Sequence, residues 1–556
     1  MSRLTDGLQY YFLVGGVGLL AASAAIGLYV IYQQMWSWTQ QALSFSILLI
    51  VPLMFLAVGV SYVLVKKFAK TKTTGSGTHT VLEAYHLTNG DISFEDAVVK
   101  PVAGMITIGL GGSAGPEGPS LLAGGGVAAA ISRRLKINAN MRRRLFIAAA
   151  AAGLAATFRT PLTAILFALE IPYKNDLDRE TFIEAVVASV PAYLLSTAIL
   201  GSESIFGPVT YSDLNLEVIG LSLLLGLICG LYAVLFTKTF DWMATLSTKL
   251  RAKIGDIGLI SVAAAFLSIS GVFSLYTIGV GLNFTGAIIQ GATLSIAVLV
   301  AIIILKTFAT AVTLNFGGSG GLFFPTIIVG AGIGYIFAQI FNVNYSVMFI
   351  AVGMAALLGG THKILLTPVA FVVETLGGLF AIPALLANAV SYIVSGKHSF
   401  YSLQPRNRLK TEELALERFF LRAQRFAPEK LKATTASEVM TKNPIVLKDG
   451  CTVRDALDVF EGTKLRVLPI VDVANHVVGV VNLEDIGFID LRRHSLQLSE
   501  TVMHTPVLVR EWTNLEEIAK LMMDKQQDHV FVVDQNDALI GVVSGIDEIK
   551  KIIQLL

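Results

Sequence analysis

The chain has 556 residues, too many for one hydrophobic core, and 15% of them are charged where a soluble globular chain carries about 25%. About one residue in ten is charged over 1–400 and more than one in four beyond, so a water-solvated first part is excluded and the tail reads as a soluble domain. The net charge of +2 comes with no basic stretch interleaved with aromatics, and neither Cys229 nor Cys451 has metal-ligand neighbours, so nucleic acid, a disulfide framework and a metal site all lack support.

Apolar runs of spanning length occupy 12–32, 43–65, 145–170, 183–201, 217–237, 257–281, 287–314, 322–341 and 346–395. The first is too long for a cleaved signal core and lacks a small-residue cleavage site after it. Glycine clusters at 109–115, 124–126 and 317–321 interrupt the pattern. Backbone breaks at membrane depth are tolerated only where they are buried in protein or line a watery cavity. Broken helices commonly aim their N-terminal ends at an anion, whereas the bland alternative is glycine-mediated helix packing. Basic groups at Lys66, Lys67, Lys70 and Lys72, at Arg133, Arg134, Lys136 and 142–144, at Lys249, Arg251 and Lys253, and at Arg406, Arg408 and Lys410 should all face the cytoplasm. Both termini then lie inside, and the chain is expected to be a multi-pass protein of the cell membrane.

The apolar part repeats itself. GPEGP at 115–119 is echoed by GLFFP at 321–325, and GLAATFRTPLTAILFALE at 153–170 by GMAALLGGTHKILLTPVAFVVE at 353–374. Two halves with matching glycine-interrupted helices point to an ion site at their interface.

At these residues the chain resembles the CLC family of chloride channels and proton/chloride antiporters, over 1–405. The resemblance rests on four elements in order: GSG at 75–77, G-x-EGP at 115–119, GGLFFP at 320–325, and Tyr401 after the last span. It implies an α-helical polytopic domain of two inverted repeats with broken helices, a homodimer with one pore per subunit, chloride as transported ligand and, in the antiporters, protons.

Each element has a chemical reading of its own. A short hydroxyl between two glycines ahead of an apolar segment, Ser76, suits a helix N-terminus that attracts an anion, although alone it would be an N-cap serine. By resemblance it donates to the central chloride. Glu117 is a lone carboxylate among glycine, proline and apolar stretches, expensive to ionise and functional by default. By resemblance it is the gating glutamate. Leu322 and Phe323 should offer main-chain amides to the ion from a glycine-rich helix start, and Tyr401 resembles the tyrosine that closes the site with its hydroxyl. Lys306 either faces a watery vestibule or snorkels to the interface.

Three departures matter. Thr78 and His79 stand where the family continues with a hydrophobe and proline, and Pro116 where it has a cation. Ile171 stands where family antiporters carry an inner glutamate, with Glu170 one residue away.

The tail repeats with an offset near 62: VMTKNPIVLKDGCTVRDALDVF is answered by VMHTPVLVREWTNLEEIAKLM, and GVVNLEDI by GVVSGIDEI. Apolar strands alternating with amphipathic helices make an α/β module. It resembles a tandem CBS pair, which implies an adenosine phosphate and ribose at Ser544 and Asp547, with Asn482 and Asp485 as a weaker second set. The expected boundaries are a transmembrane domain at 1–405, a linker at 406–436, and CBS domains at 437–492 and 493–556.

The expectation is therefore chloride transport through a glutamate-gated CLC-type pore, sensitive to voltage and pH. Cytoplasmic CBS domains that take ATP, ADP or AMP would regulate it, proton coupling would be weak or absent, and no cofactor is required. The nearest alternative is a fully coupled antiporter with an atypical proton route. A CBS-regulated membrane enzyme would need a motif such as H-E-x-x-H, which none of the eight histidines provides. A magnesium transporter would need an acidic cluster near the pore.

Overall fold

The computed structural model describes residues 8–202, 205–206, 215–343, 346–406, 411–486, 496–500, 503–525 and 527–556. The chain divides into two units, Met1–Asn407 and Arg408–Leu556.

In the first unit α1 (Leu8–Phe45) and α2 (Ile50–Phe68) are long apolar helices. The strand β1 (Gly75–Ser76) leads into α3 (Gly77–Thr88) and α4 (Phe94–Gly109). Next come α5 (Glu117–Arg134), α6 (Ala139–Phe158), α7 (Pro161–Glu170) and α8 (Phe182–Leu200). The second half runs through α9 (Leu216–Phe273), α10 (Leu282–Ile289), α11 (Ile296–Asn315) and the strand β2 (Ser319–Gly320). It ends with α12 (Phe323–Ile340), α13 (Ser346–His362), α14 (Leu366–Leu376) and α15 (Ala381–Val394). Among the described residues, six helices are long and apolar enough to cross a membrane: Leu8–Phe45, Ile47–Phe68, Arg179–Leu200, Leu216–Phe273, Ile296–Asn315 and Phe323–Ile340.

Several expected runs are broken. The run 145–170 is two helices, because Arg159 turns left-handed (φ 56°) and Pro161 starts α7. The run 346–395 is three helices, and 287–314 divides between α10 and α11. The runs at 217–237 and 257–281 join in α9 across Gly255 (φ 70°), and helix ends at Phe273. Helix α4 escaped the hydropathy pattern because it carries charged groups that are paired inside the protein. Asp96 accepts from the amides of Lys70 (2.9 Å) and Thr71 (3.1 Å), and Lys100 Nζ donates to Thr73 (3.1 Å) and Thr80 (3.3 Å). Lys306 does not snorkel: it is buried, and its Nζ donates to the Gly279 carbonyl at 2.7 Å.

The duplication is plain in the backbone. Gly111 and Gly317 both have positive φ (107° and 124°), as do Arg159 and Lys363 (56° and 59°). Helices α7 and α14 cap each other. Glu170 closes α7 and accepts from the amides of Leu365 (3.1 Å), Leu366 (2.9 Å) and Thr367 (2.8 Å), and from the Thr367 hydroxyl (2.6 Å), at the start of α14. Glu374, near the end of α14, accepts from the amides of Leu162 (2.9 Å) and Thr163 (2.8 Å) and the Thr163 hydroxyl (2.6 Å) at the start of α7. The end of each lies on the start of the other, so the two run antiparallel, as inverted halves require.

The second unit begins with α16 (Thr411–Phe426), α17 (Pro428–Ala433), α18 (Ala436–Val439) and β3 (Thr441–Lys442). One repeat then holds β4 (Leu447–Lys448), α19 (Val453–Gly462), β5 (Val467–Val471), β6 (Val477–Asn482) and α20 (Leu483–Ile486). The other holds β7 (Leu508–Arg510), α21 (Leu515–Lys525), β8 (His529–Val533), β9 (Leu539–Ser544) and α22 (Gly545–Leu555). In each, a parallel pair (β4 with β5, β7 with β8) is followed by an antiparallel one (β5 with β6, β8 with β9). The register shifts at equivalent places, Ile470/Val471 and Val532/Val533. Each repeat has its own apolar core, one around Leu468, Val481 and Phe460, the other around Val530, Val532 and Ile518.

Candidate anion-binding site

Three helix starts meet at the centre of the first unit. β1 and β2 pair in parallel, Gly75 with Ser319 and Ser76 with Gly320, and the Gly115 amide donates to the Gly321 carbonyl at 3.0 Å. Gly77 lies so near Gly118 that a Cβ on it would come 2.6 Å from the Gly118 carbonyl carbon. Glycine is required here by close approach. The starts of α3, α5 and α12 are thereby brought together, with their free amides and the positive ends of their dipoles.

Glu117 is the first residue of α5 and is fully buried. Its Oε1 accepts from the Phe323 amide at the start of α12, and the amides of Phe324 and Glu117 itself lie close by. Gly115 and Gly321 flank the carboxylate, and a Cβ on either would overlap its oxygens. The carboxylate thus occupies a seat built from main-chain amides. Leu322 is the N-cap residue of α12, one step before the amide in use.

Around this seat lie polar atoms with no protein partner. Ser76 is the N-cap residue of α3, but its hydroxyl makes no cap hydrogen bond and is buried and unpartnered. The bland N-cap reading therefore fails. Thr78 Oγ1, Glu117 Oε2 and the Tyr401 hydroxyl are also unpartnered. Tyr401 is fully buried, and Thr78 and Glu117 are near enough to act on its phenol. Two imidazoles pack against the same ring, His79 at 4.9 Å and His362 at 5.4 Å between centroids. Sequence reading singled out His79 but missed His362, a lone histidine in an apolar run whose importance comes only from tertiary packing. It also missed Gln404, whose Nε2 donates to the carbonyls of Ile171 (2.8 Å) and His362 (3.0 Å).

In the tail a cavity of about 300 Å³ is lined by Lys464, Arg466, Gln527, Asp528, Ser544 and Gly545, among others. Asp547 is occupied locally: its Oδ2 accepts from the Ser544 amide (3.1 Å) and hydroxyl (2.6 Å), which caps α22. The side chain of Asp485 lies outside the described residues. Among the described residues, no group of three or more metal-ligating side chains converges.

These features define a helical membrane protein of two inverted halves with a carboxylate-occupied, amide-built site between them. The family profile for voltage-gated chloride channels matches residues 55–396, and the chain belongs to that family. The CBS-domain profile matches 436–486 and 499–547, a tandem pair. The chain is 25% identical to chloride channel protein CLC-f of Arabidopsis thaliana over 511 residues, 82% of this chain and 64% of that protein. It is 28% identical to the H(+)/Cl(-) exchange transporter ClcA of Vibrio cholerae over 375 residues, 64% of this chain and 78% of that one. Among solved structures, a slow cyanobacterial Cl-/H+ antiporter superposes with a TM-score of 0.62 at 20% identity, over 69% of this chain and 93% of that one, and shares the fold.

Proposed function

We propose that this protein transports chloride across a cell membrane, with Glu117 as the gate. The observation that carries this is the Glu117 carboxylate seated on the Phe323 amide. An anion of one charge is already accommodated there by neutral donors, and chloride would be held by the same amides together with the Ser76 and Tyr401 hydroxyls. Ionised, Glu117 competes with chloride for the seat. Protonated, it loses its attraction for the helix dipole and leaves. Neutral donors do not suit a cation. In liposomes, chloride efflux should far exceed efflux of sodium, potassium or magnesium, and cation-selective flux would overturn the reading.

The inner carboxylate route for protons is absent. Ile171 carries no proton, and all four hydrogen bonds that α14 makes with Glu170 would be lost if that carboxylate turned away. Coupling through an inner carboxylate is weak or absent on that ground. A second reading, exchange by another route, is favoured by the two imidazoles against Tyr401.

The protein works as a homodimer with cytoplasmic termini, supported by the family and by the distribution of basic loops. The tail regulates it by taking an adenine nucleotide in the cavity beside Ser544, where Lys464 supplies positive charge. Calorimetry with ATP, ADP and AMP on the tail tests this, and Lys464→Ala should weaken binding severalfold. Asp547 acts there by holding Ser544 and capping α22.

A further inference from the structure

The anion site is bordered by two imidazoles that chloride passage alone leaves unused. His362, at the end of α13, is fully buried, and His79, in the first turn of α3, is partly exposed. Their protonation pattern follows from their partners. A carbonyl only accepts, so His79 Nε2, 3.0 Å from the Phe400 carbonyl, bears the hydrogen and Nδ1 is a bare lone pair. Assigning the Thr361 hydroxyl hydrogen to the Leu357 carbonyl at 2.9 Å makes His362 Nδ1, 2.9 Å from that hydroxyl oxygen, the donor to it. Nε2 of His362 is then the bare lone pair. Both bare nitrogens are covered by protein and neither has a protein partner. Two imidazoles, each with one bare nitrogen, thus pack against the ring of Tyr401, and Glu117 is near enough to act on the phenol of that tyrosine.

We infer that His79 and His362 are the proton-carrying groups of this protein, replacing the carboxylate that position 171 lacks. The inference rests on the reading that chloride passes the Glu117 site. In the forward step the Glu117 acid loses its O–H bond and the proton passes, through the Tyr401 hydroxyl or water, to a bare imidazole nitrogen. A carboxylate and an imidazolium result. The same nitrogen then gives that proton on when water reaches it from the side of Ile171, and the ring returns to its neutral form. No electron moves, and one proton crosses per cycle. The imidazolium is balanced by the Glu117 carboxylate or by chloride in the site. Gln404 ties the His362 main chain to that of Ile171, so His362 lies near the position of the missing carboxylate, while His79 is partly exposed where His362 is fully buried.

The titratable groups facing the pair are each other, Tyr401 and, beyond it, Glu117. Nearby Lys363 is turned away, donating to the Tyr392 carbonyl (2.8 Å) and the Ser395 hydroxyl (2.7 Å). Glu170 is held by α14.

The test is simultaneous recording of chloride and proton flux from liposomes holding the full chain. In wild type, a chloride gradient should drive protons uphill. The double variant His79→Asn/His362→Gln should keep chloride flux within about twofold while proton movement falls at least tenfold. Retained chloride flux shows that the variant is folded. The single variant His362→Gln, with a milder change, should give a reduced proton-to-chloride ratio. Undiminished proton movement in the double variant, or wild-type chloride flux with no proton movement, would overturn the inference. Absence of wild-type chloride flux would instead overturn the underlying reading.

Discussion

The ionised Glu117 carboxylate accepts from the Phe323 amide, whereas a neutral acid in the same place would have less to gain from the start of α12. The seat depends on two glycines, because a Cβ at Gly115 or Gly321 would overlap the carboxylate oxygens. Gly321→Ala should therefore expel the side chain and leave the site open. Chloride flux in this variant is expected to lose most of its pH dependence, and unchanged pH dependence would show that the carboxylate does not gate from this seat. Ser76, Glu117, Phe323 and Tyr401 were legible in the sequence because short motifs carry them. His362 was not, because a single histidine between Thr361 and Lys363 looks like a satisfied core residue until its ring is found against Tyr401 with one nitrogen unpartnered.

Between elements, the clearest device is the exchange of glutamates between α7 and α14. Glu170 is buried and satisfies three amides and a hydroxyl, while Glu374 is less buried and satisfies two amides and a hydroxyl. Removing a cap of this kind costs about 1–3 kcal/mol, more where the freed amides are buried. Glu170→Ala should lower the melting temperature in detergent by several degrees, and Glu374→Ala by less. The reverse order would mean that the caps do not act as the geometry indicates. Element boundaries were only partly readable. Proline and the left-handed Arg159 break the run at 145–170, a signal present in the sequence but hidden by uniform hydropathy. The polar helix α4 was invisible to hydropathy because Asp96 and Lys100 find their partners across the fold, not in their own segment. The tail repeat was easier to read, since strands of alternating burial and capped amphipathic helices are local patterns.

At the scale of the whole molecule, a membrane unit with a candidate anion site is joined to a CBS unit with its own cores and cavity. The tail also carries a pH response. Burial pushes the Glu548 carboxyl up to about 8, with neither oxygen finding a protein donor, and pushes Glu417 up to about 7. In the unfolded chain both ionise near 4.5. Between those values the folded tail binds more protons than the unfolded chain, so its stability falls as pH rises from about 5 through 8. The tail fragment 408–556 should melt several degrees lower at pH 8 than at pH 5, and Glu417→Gln/Glu548→Gln should flatten that slope. A melting temperature that rises over the same window would contradict the assignment. The central claim, that chloride passes a site gated by the Glu117 carboxylate, is tested most directly by chloride efflux from liposomes across external pH, comparing wild type with Glu117→Gln. Wild-type flux should rise as pH falls and the variant's should be high and nearly flat. A variant whose pH profile matches wild type would contradict it.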